Sequence, residues 1–269
     1  MAASFEVLKL EGQKRRAKRA MAAITTIHRP CEIVREYAGR GDWLVVFGWG
    51  GSRQQDAMTK HMKSGRNVLV LDIGYFDRER GTTRMSVNCL HPFDQLRLAP
   101  DDGSRFDRLK IPLRNDYNPD GHFVVLGLTE KSCRAYGYQD QQWEKGIVKM
   151  LRERFGNDRK IVYRPKPKKP ALLEGTVDGG TGSIEGWLRG AAGCFVHHSN
   201  VALDCAIAGV PCFAVDGIGK GFWPANMGEV ISVPSIEQRH KYLRQAAWFN
   251  WRPDEIGEMI RFAIEVARK

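Results

Sequence analysis

Long hydrophobic runs are missing from this sequence, and no apolar stretch approaches the roughly 18 residues that a membrane-spanning helix needs. The N-terminal segment is basic and has no apolar signal core, so we expect no secretion and a cytoplasmic location. The six cysteines form no CxxC pair, which favours reduced, mostly buried thiols over disulfides or a zinc site. A GxGxxG fingerprint and a convincing DxD pair are also absent, so we predict neither NAD nor a catalytic metal.

Positive charge is what the sequence has in excess. It holds 42 Lys and Arg residues against 31 Asp and Glu residues, a formal net charge of +11. The cations cluster at KRRAKR (14–19) and at RKIVYRPKPKK (159–169). Such clusters favour a polyanionic partner, such as double-stranded DNA, or a phosphorylated ligand. For the first cluster, a solvated helix face explains the pattern equally well.

Apolar runs alternate with amphipathic stretches in two series along the chain. The predicted elements are a strand at 43–47, a helix at about 53–63, strands at 67–72 and 122–128, a helix at about 141–155 and a strand at 160–164. Alternation of this kind is typical of parallel sheets with crossover helices. We therefore predict an α/β fold of two doubly wound, Rossmann-like lobes that face a cleft.

The two series define three predicted segments. An N-terminal lobe covers 1–118, a C-terminal lobe covers 119–250, and a C-terminal helix lies within 251–269. Pro253 and the acids that follow it suit the first turn of that helix. The helix could pack back on the N-terminal lobe.

HHSN, residues 197–200, follows a predicted buried strand and precedes a predicted helix. Ligands of open parallel sheets bind beyond the carboxyl ends of the strands, and a helix start suits phosphate. We therefore predict ligand contacts from His197, His198, Ser199 and Asn200. Asp204 lies on the same helix face as Asn200 and could accept hydrogen bonds from sugar hydroxyls. The alternative is ordinary capping of a core helix, with both histidines as satisfied polar residues.

YRPKPKK, residues 163–169, places cations at the end of another predicted strand, where its prolines hold the chain extended. Arg164 and Lys166 share one side of an extended chain, and that arrangement suits a diphosphate. A basic loop in water is the alternative interpretation.

These two segments together resemble the donor-binding half of GT-B glycosyltransferases, a group that includes the capsule and Kdo-type transferases. The resemblance rests on YRPKPKK and on GCFVHHSNVALDCAIAGVPCFAVDG. It implies that 119–250 is the nucleotide-sugar donor lobe and 1–118 the acceptor-side lobe. It also implies that Asp204 binds the ribose of a nucleotide sugar and that the helix start meets the diphosphate. Asp204 stands where Glu is usual, and Lys166 where His is common. A UDP-sugar is the expected donor, with no tightly bound cofactor.

The N-terminal half resembles phage-encoded proteins of the same architecture, through VVFGWGGSRQQD and NVLVLDIGYFDRERG. This resemblance implies a hexosyl- or pentosyl-transferase that modifies hydroxymethylated pyrimidines, such as hydroxymethylcytosine, in phage DNA within the host cytoplasm. Asp72, which ends a strand, is our candidate base, with Asp77, His61 and His91 as reserves. The candidate acceptor or DNA contacts are Gly50, Gly51, Arg53, Tyr75, Lys14, Arg15, Arg16, Lys18 and Arg19.

Two alternatives stay open at this point. The first keeps the chemistry and exchanges DNA for a surface polysaccharide or lipopolysaccharide acceptor. The second is a DNA-binding protein that has a transferase-like fold and no turnover. No protein partner is predicted in either case.

Overall fold

The structure, a computed structural model, describes residues 3–48, 51–100, 102–166, 172–180, 182–227 and 232–269. It divides into two compact units: unit 1 is Met1–Leu109 with Arg244–Lys269, and unit 2 is Lys110–Leu243. The sequence placed its boundaries at 118 and 250 instead. Backbone hydrogen bonds account for the difference at the first boundary, because Arg114 and Asp116 donate to the carbonyls of Ile207 and Ala208 within unit 2.

Strands in the described residues are, in chain order, β1 (Phe5–Leu8), β2 (Cys31–Val34), β3 (Trp43–Phe47), β4 (Asn67–Ile73), β5 (Thr83–Val87), β6 (His122–Leu126), β7 (Ile161–Arg164), β8 (Val177–Asp178), β9 (Ala191–Val196), β10 (Cys212–Ala214) and β11 (Asn250–Trp251). Helices there are α1 (Lys14–Thr26), α2 (Ser52–Lys63), α3 (Ser104–Asp107), α4 (Glu130–Tyr136), α5 (Gln142–Phe155), α6 (Ile184–Leu188), α7 (Val201–Ala208), α8 (Ile236–Ala247) and α9 (Ile256–Arg268).

The sheet of unit 1 has the order β11-β5-β4-β3-β1-β2. Its strands β1 to β4 pair in parallel, whereas β5 runs antiparallel to β4, and β11 antiparallel to β5. The central strands are apolar on both faces and buried, as expected where helices cover a parallel sheet. Helix α9 packs against α1 and β5 inside this unit.

The sheet of unit 2 has the order β10-β9-β6-β7-β8, and every pairing in it is parallel. The chain moves outward from β6 to β8 and then returns to place β9 on the other side of β6. The strand order therefore reverses between β6 and β9, and the carboxyl ends of these two strands form the place where ligands of such sheets bind.

The predicted α/β class with two largely parallel sheets is confirmed.

Gly74, the glycine of the DIGY sequence at 72–75, has a physical explanation in this fold. A Cβ on Gly74 would lie 2.1 Å from Thr82 Oγ1 and 2.7 Å from Asn250 Oδ1, so only glycine allows this close approach. The same Asn250 oxygen accepts the N–H of Tyr75, which ties the chain after β4 to β11.

Candidate active site

A cavity of about 570 Å³ lies in unit 1, where β3 and β4 end. We call it the arginine pocket, because five arginines line it: Arg15, Arg16, Arg19, Arg78 and Arg80. The candidate base Asp72 lines the same cavity. Arg15, Arg16 and Arg19 of the basic run and Asp72, which the sequence singled out separately, thus line one cavity.

The arginines of α1 reach the pocket because the start of the helix is anchored there. The Gln13 side chain donates from Nε2 to the carbonyl of Phe47, the last residue of β3, at 3.1 Å. The small residues Ala17 and Ala20 are buried and set the orientation of the helix. The basic run is consequently divided: Arg15, Arg16 and Arg19 line the pocket, and Lys14 and Lys18 do not.

Asp72 is held firmly at the pocket wall. Its Oδ2 accepts a hydrogen bond from Arg84 Nη2 at 2.9 Å, and its Oδ1 accepts one from the N–H of Ile73 at 2.8 Å. The side chain of Asp72 is 29% exposed, against 6% for Arg84. Two of the carboxylate's roughly four lone-pair positions are therefore used, and the others are open to a ligand hydroxyl.

Arg84 is itself fixed from behind. Its Nη1 donates to the carbonyl of Leu90 at 2.6 Å and lies 3.1 Å from His91 Nδ1. A guanidinium carries only donors, so His91 Nδ1 is the acceptor in this contact. His91 thus contacts Arg84 and is not among the residues that line the arginine pocket.

The other reserve bases also lie away from the arginine pocket. His61 is fully buried within α2, where its Nδ1 lies 3.2 Å from Tyr37 Oη. Asp77 lies in a left-handed turn, where its Oδ2 is 4.0 Å from Arg80 Nη1. It lines a separate cavity of about 80 Å³.

The remaining acceptor candidates are dispersed. Tyr75 is 4% exposed, and burial raises its pKa to about 12, so its ring is part of the core. Gly51 precedes α2, and Arg53 is paired with Glu36 at 2.6 Å beside a different depression. Gly50 lies outside the described residues.

In unit 2, the turn after β9 is packed against aromatic side chains. The ring centroid of His197 lies 4.3 Å from that of Tyr136, 5.5 Å from Tyr138 and 5.7 Å from Trp143. Burial lowers the pKa of His197, against a smaller opposing effect of Asp216. His197 is therefore enclosed by protein, unlike the half-buried donor candidates that follow it in the chain.

His198, Ser199 and Asn200 are half-buried at the start of α7. Ser199 Oγ accepts the N–H of Val201 at 3.3 Å, whereas Asn200, at the N-cap position, makes no side-chain cap bond. Asp204 is half-buried in the first turn of this helix. The structure therefore places these candidates together at the carboxyl end of β9.

Sequence reasoning missed α4, which supplies further side chains to this end of the sheet. Ser132 Oγ lies 3.2 Å from His198 Nε2, and Tyr136 Oη donates to Asp216 Oδ2 at 2.5 Å. The available signal was Thr129, which caps α4 by accepting the N–H of Ser132 at 3.1 Å. A capping residue followed by Glu130 is a usual helix start.

Arg164 ends β7, at the same carboxyl edge of the unit 2 sheet. Its Nη1 is buried and has no hydrogen-bond partner among the described residues. Lys166 follows it and is half-buried. A buried guanidinium nitrogen without a partner is costly, and an anionic ligand group would satisfy it.

Within the described residues, no cluster of three or more His, Cys, Asp or Glu side chains could hold a metal ion. The helices in those same ranges include none that is long and apolar enough to cross a membrane. None of the six cysteines, all of which lie in the described ranges, forms a disulfide.

Comparisons with known proteins add the following. No family profile matches the chain. No curated protein matches it either. Among solved structures, Thermosulfurimonas dismutans KpsC, beta Kdo 2,7 transferase, is 17% identical and aligns over 96% of this chain and 99% of its own, with a TM-score of 0.50. The beta Kdo 2,4 transferase of the same KpsC is 12% identical and aligns over 94% and 92%, with a TM-score of 0.51. The chain therefore has the two-lobe fold of these transferases.

Proposed function

We propose that the protein is a glycosyltransferase in which unit 2 binds a nucleotide-sugar donor and unit 1 binds the acceptor. The observation that carries the proposal is the position of Asp72, a partly exposed carboxylate in a cavity at the carboxyl edge of a doubly wound sheet. The fold shared with two Kdo transferases over nearly the whole chain supports it.

On the donor side, Arg164 and Lys166 would meet the phosphate groups, together with the start of α7. Arg164 Nη1 is the group that most needs an anion, because it is buried and unpartnered among the described residues. Asp204 would accept hydrogen bonds from the ribose. Negative charge grows on the phosphate as it leaves, so cations held there stabilise the transition state.

On the acceptor side, Asp72 would act as general base. It takes the proton of the acceptor hydroxyl while that oxygen forms a bond to the anomeric carbon of the donor, and the bond from that carbon to the phosphate oxygen breaks. The phosphate departs with the electron pair. Arg84 and the N–H of Ile73 hold the carboxylate in place for this step.

A saccharide is the acceptor that we favour. The structural relatives carry the name of Kdo transferases, and the arginine pocket has the volume of a small-molecule site. Hydroxymethylated DNA is the second candidate, favoured by the formal net charge of +11 and by the basic run on α1.

The test is mass spectrometry of two acceptor sets, surface-type oligosaccharides and hydroxymethylated duplex DNA, each incubated with a panel of nucleotide sugars. We expect a sugar-sized mass increase in an oligosaccharide. Asp72→Asn should slow that transfer by roughly 10²–10⁴-fold and leave donor binding unchanged. If only the DNA gains mass, hydroxymethylated DNA becomes the favoured acceptor and the saccharide becomes the second candidate. Absence of both transfer and donor hydrolysis would leave a binding protein with a transferase-like fold.

A further inference from the structure

The start of α1 carries charge of the sign that destabilises a helix. Lys14, Arg15 and Arg16 occupy its first turn, and that turn contains no acidic residue. The N-terminal end of a helix is the positive end of its dipole, where anions stabilise and cations do not. An anion bound at this end would relieve the repulsion.

A second, independent set of cations faces the same cavity. Arg78 and Arg80 line the arginine pocket from the segment that connects β4 to β5. Arg78 donates from Nε to the carbonyl of Gly74 at 3.0 Å, which fixes its side chain beside the turn. The pocket thus has arginines on two walls that are far apart in the sequence.

The carboxylates nearby do not neutralise these arginines. Asp72 is engaged by Arg84, and Glu79 is the other acid of the pocket lining. In the part of the chain that the structure describes, Arg80 is the one pocket arginine with a carboxylate within 4.0 Å, that of Asp77. The cavity therefore keeps a positive excess beside the proposed base.

We propose that the arginine pocket binds an acidic saccharide, whose carboxylate or phosphate groups contact the arginines while a hydroxyl contacts Asp72. This inference rests on the proposed function. About 570 Å³ accommodates one or two sugar rings and not a duplex. Ile73, which is 54% exposed at the lining, offers an apolar surface to a ring face.

The division of α1 provides a matched pair of variants. Arg16→Gln/Arg19→Gln and Lys14→Gln/Lys18→Gln each remove two cations from the same helix, but only the first pair belongs to the pocket lining. A sequence-independent attraction to polyanions would weaken equally in both variants. Ligand binding at a specific site formed by the pocket arginines would weaken only in the first variant.

Binding is measured by calorimetry at low salt, without donor, so that turnover plays no part. The probes are digalacturonate, glucose 1,6-bisphosphate, the neutral digalactose and a short DNA duplex. The two acidic probes distinguish carboxylate from phosphate as the recognised group. Melting temperatures of both variants verify that each is folded.

We expect wild-type protein to bind at least one acidic probe and to bind digalactose at least tenfold more weakly. Arg16→Gln/Arg19→Gln should lose about tenfold in affinity per arginine, whereas Lys14→Gln/Lys18→Gln should stay within about twofold. Equal losses in the two variants, equal binding of neutral and acidic probes, or tighter binding of the duplex would each overturn the proposal. None of these results depends on sugar transfer, so this inference and the proposed function can fail separately.

Discussion

Asp72 and Arg84 are direct partners across the antiparallel pair β4–β5, and their side chains meet at 2.9 Å. Strand register therefore determines where the candidate base lies. Because Arg84 is buried and held by the Leu90 carbonyl and His91, the carboxylate is oriented by the core of unit 1. A base held this way is preorganised, which favours proton transfer at one fixed position.

Replacement of Arg84 should reveal this positioning role. We expect Arg84→Gln to lower kcat by roughly tenfold or more, because Asp72 loses its partner, with a smaller change in the KM of the acceptor. Arg84→Lys keeps the charge and should recover part of kcat. Steady-state kinetics of the two variants decide the question, with melting temperatures as a check on folding. An unchanged kcat in folded Arg84→Gln would remove the positioning role.

The main strands could be read from the sequence because they are long apolar runs, as β3 and β4 show. β1 could not, because it has only four residues and carries Glu6, which is 1% exposed. That carboxylate is satisfied by the N–H groups of Ala38 and Arg40, at 2.7 Å and 2.9 Å. Those partners are more than thirty residues away, so no local pattern discloses them.

The composition of the site was predictable in part. The sequence singled out Asp72 and the basic run 14–19 as separate features, but it could not show that they share a cavity. Their meeting depends on the contact of Gln13 with the carbonyl of Phe47, which joins α1 to the end of β3. Which cations of the run face the pocket is a consequence of that anchor and of helix rotation.

Asp204 gives a prediction for the donor side. If its carboxylate binds the ribose, Asp204→Asn should raise the apparent KM of the donor and leave kcat nearly unchanged. The loss of a hydrogen bond to a charged group corresponds to about 1.5–3 kcal/mol. Asp120→Asn, in an exposed loop of the same unit, is the control. Equal donor KM values in wild type and Asp204→Asn would exclude this carboxylate from the donor site.

Two buried histidines predict a dependence of stability on pH. Burial lowers the pKa of His61 and of His197 from the usual 6.5, so the unfolded chain takes up these protons at higher pH than the folded chain. The free energy of unfolding should be level above about pH 6.5 and fall as the pH drops below it. Urea titrations at pH 7.5, 6.5 and 5.5 measure this slope.

Variants assign that slope to its sources. His61→Gln and His197→Gln should each flatten the decline between pH 6.5 and 5.5. His28→Asn, at an exposed position with a positive φ that Asn tolerates, should leave the slope as it is. If all three variants keep the wild-type slope, other groups cause the acid sensitivity.

The cations at the start of α1 predict a conflict between stability and ligand binding. Lys14→Gln and Arg16→Gln each remove one unfavourable charge from the first turn, and each should raise the free energy of unfolding by about 0.3–1 kcal/mol at low ionic strength. The gain should shrink in 1 M salt, where the Debye length is about 3 Å. Only Arg16→Gln should also weaken binding of an acidic ligand, because only Arg16 lines the arginine pocket. Urea unfolding at both salt concentrations gives the first quantity and calorimetry the second. A loss of stability in Arg16→Gln would show that Arg16 makes a contact that the fold needs, and the charge would then have a structural reason.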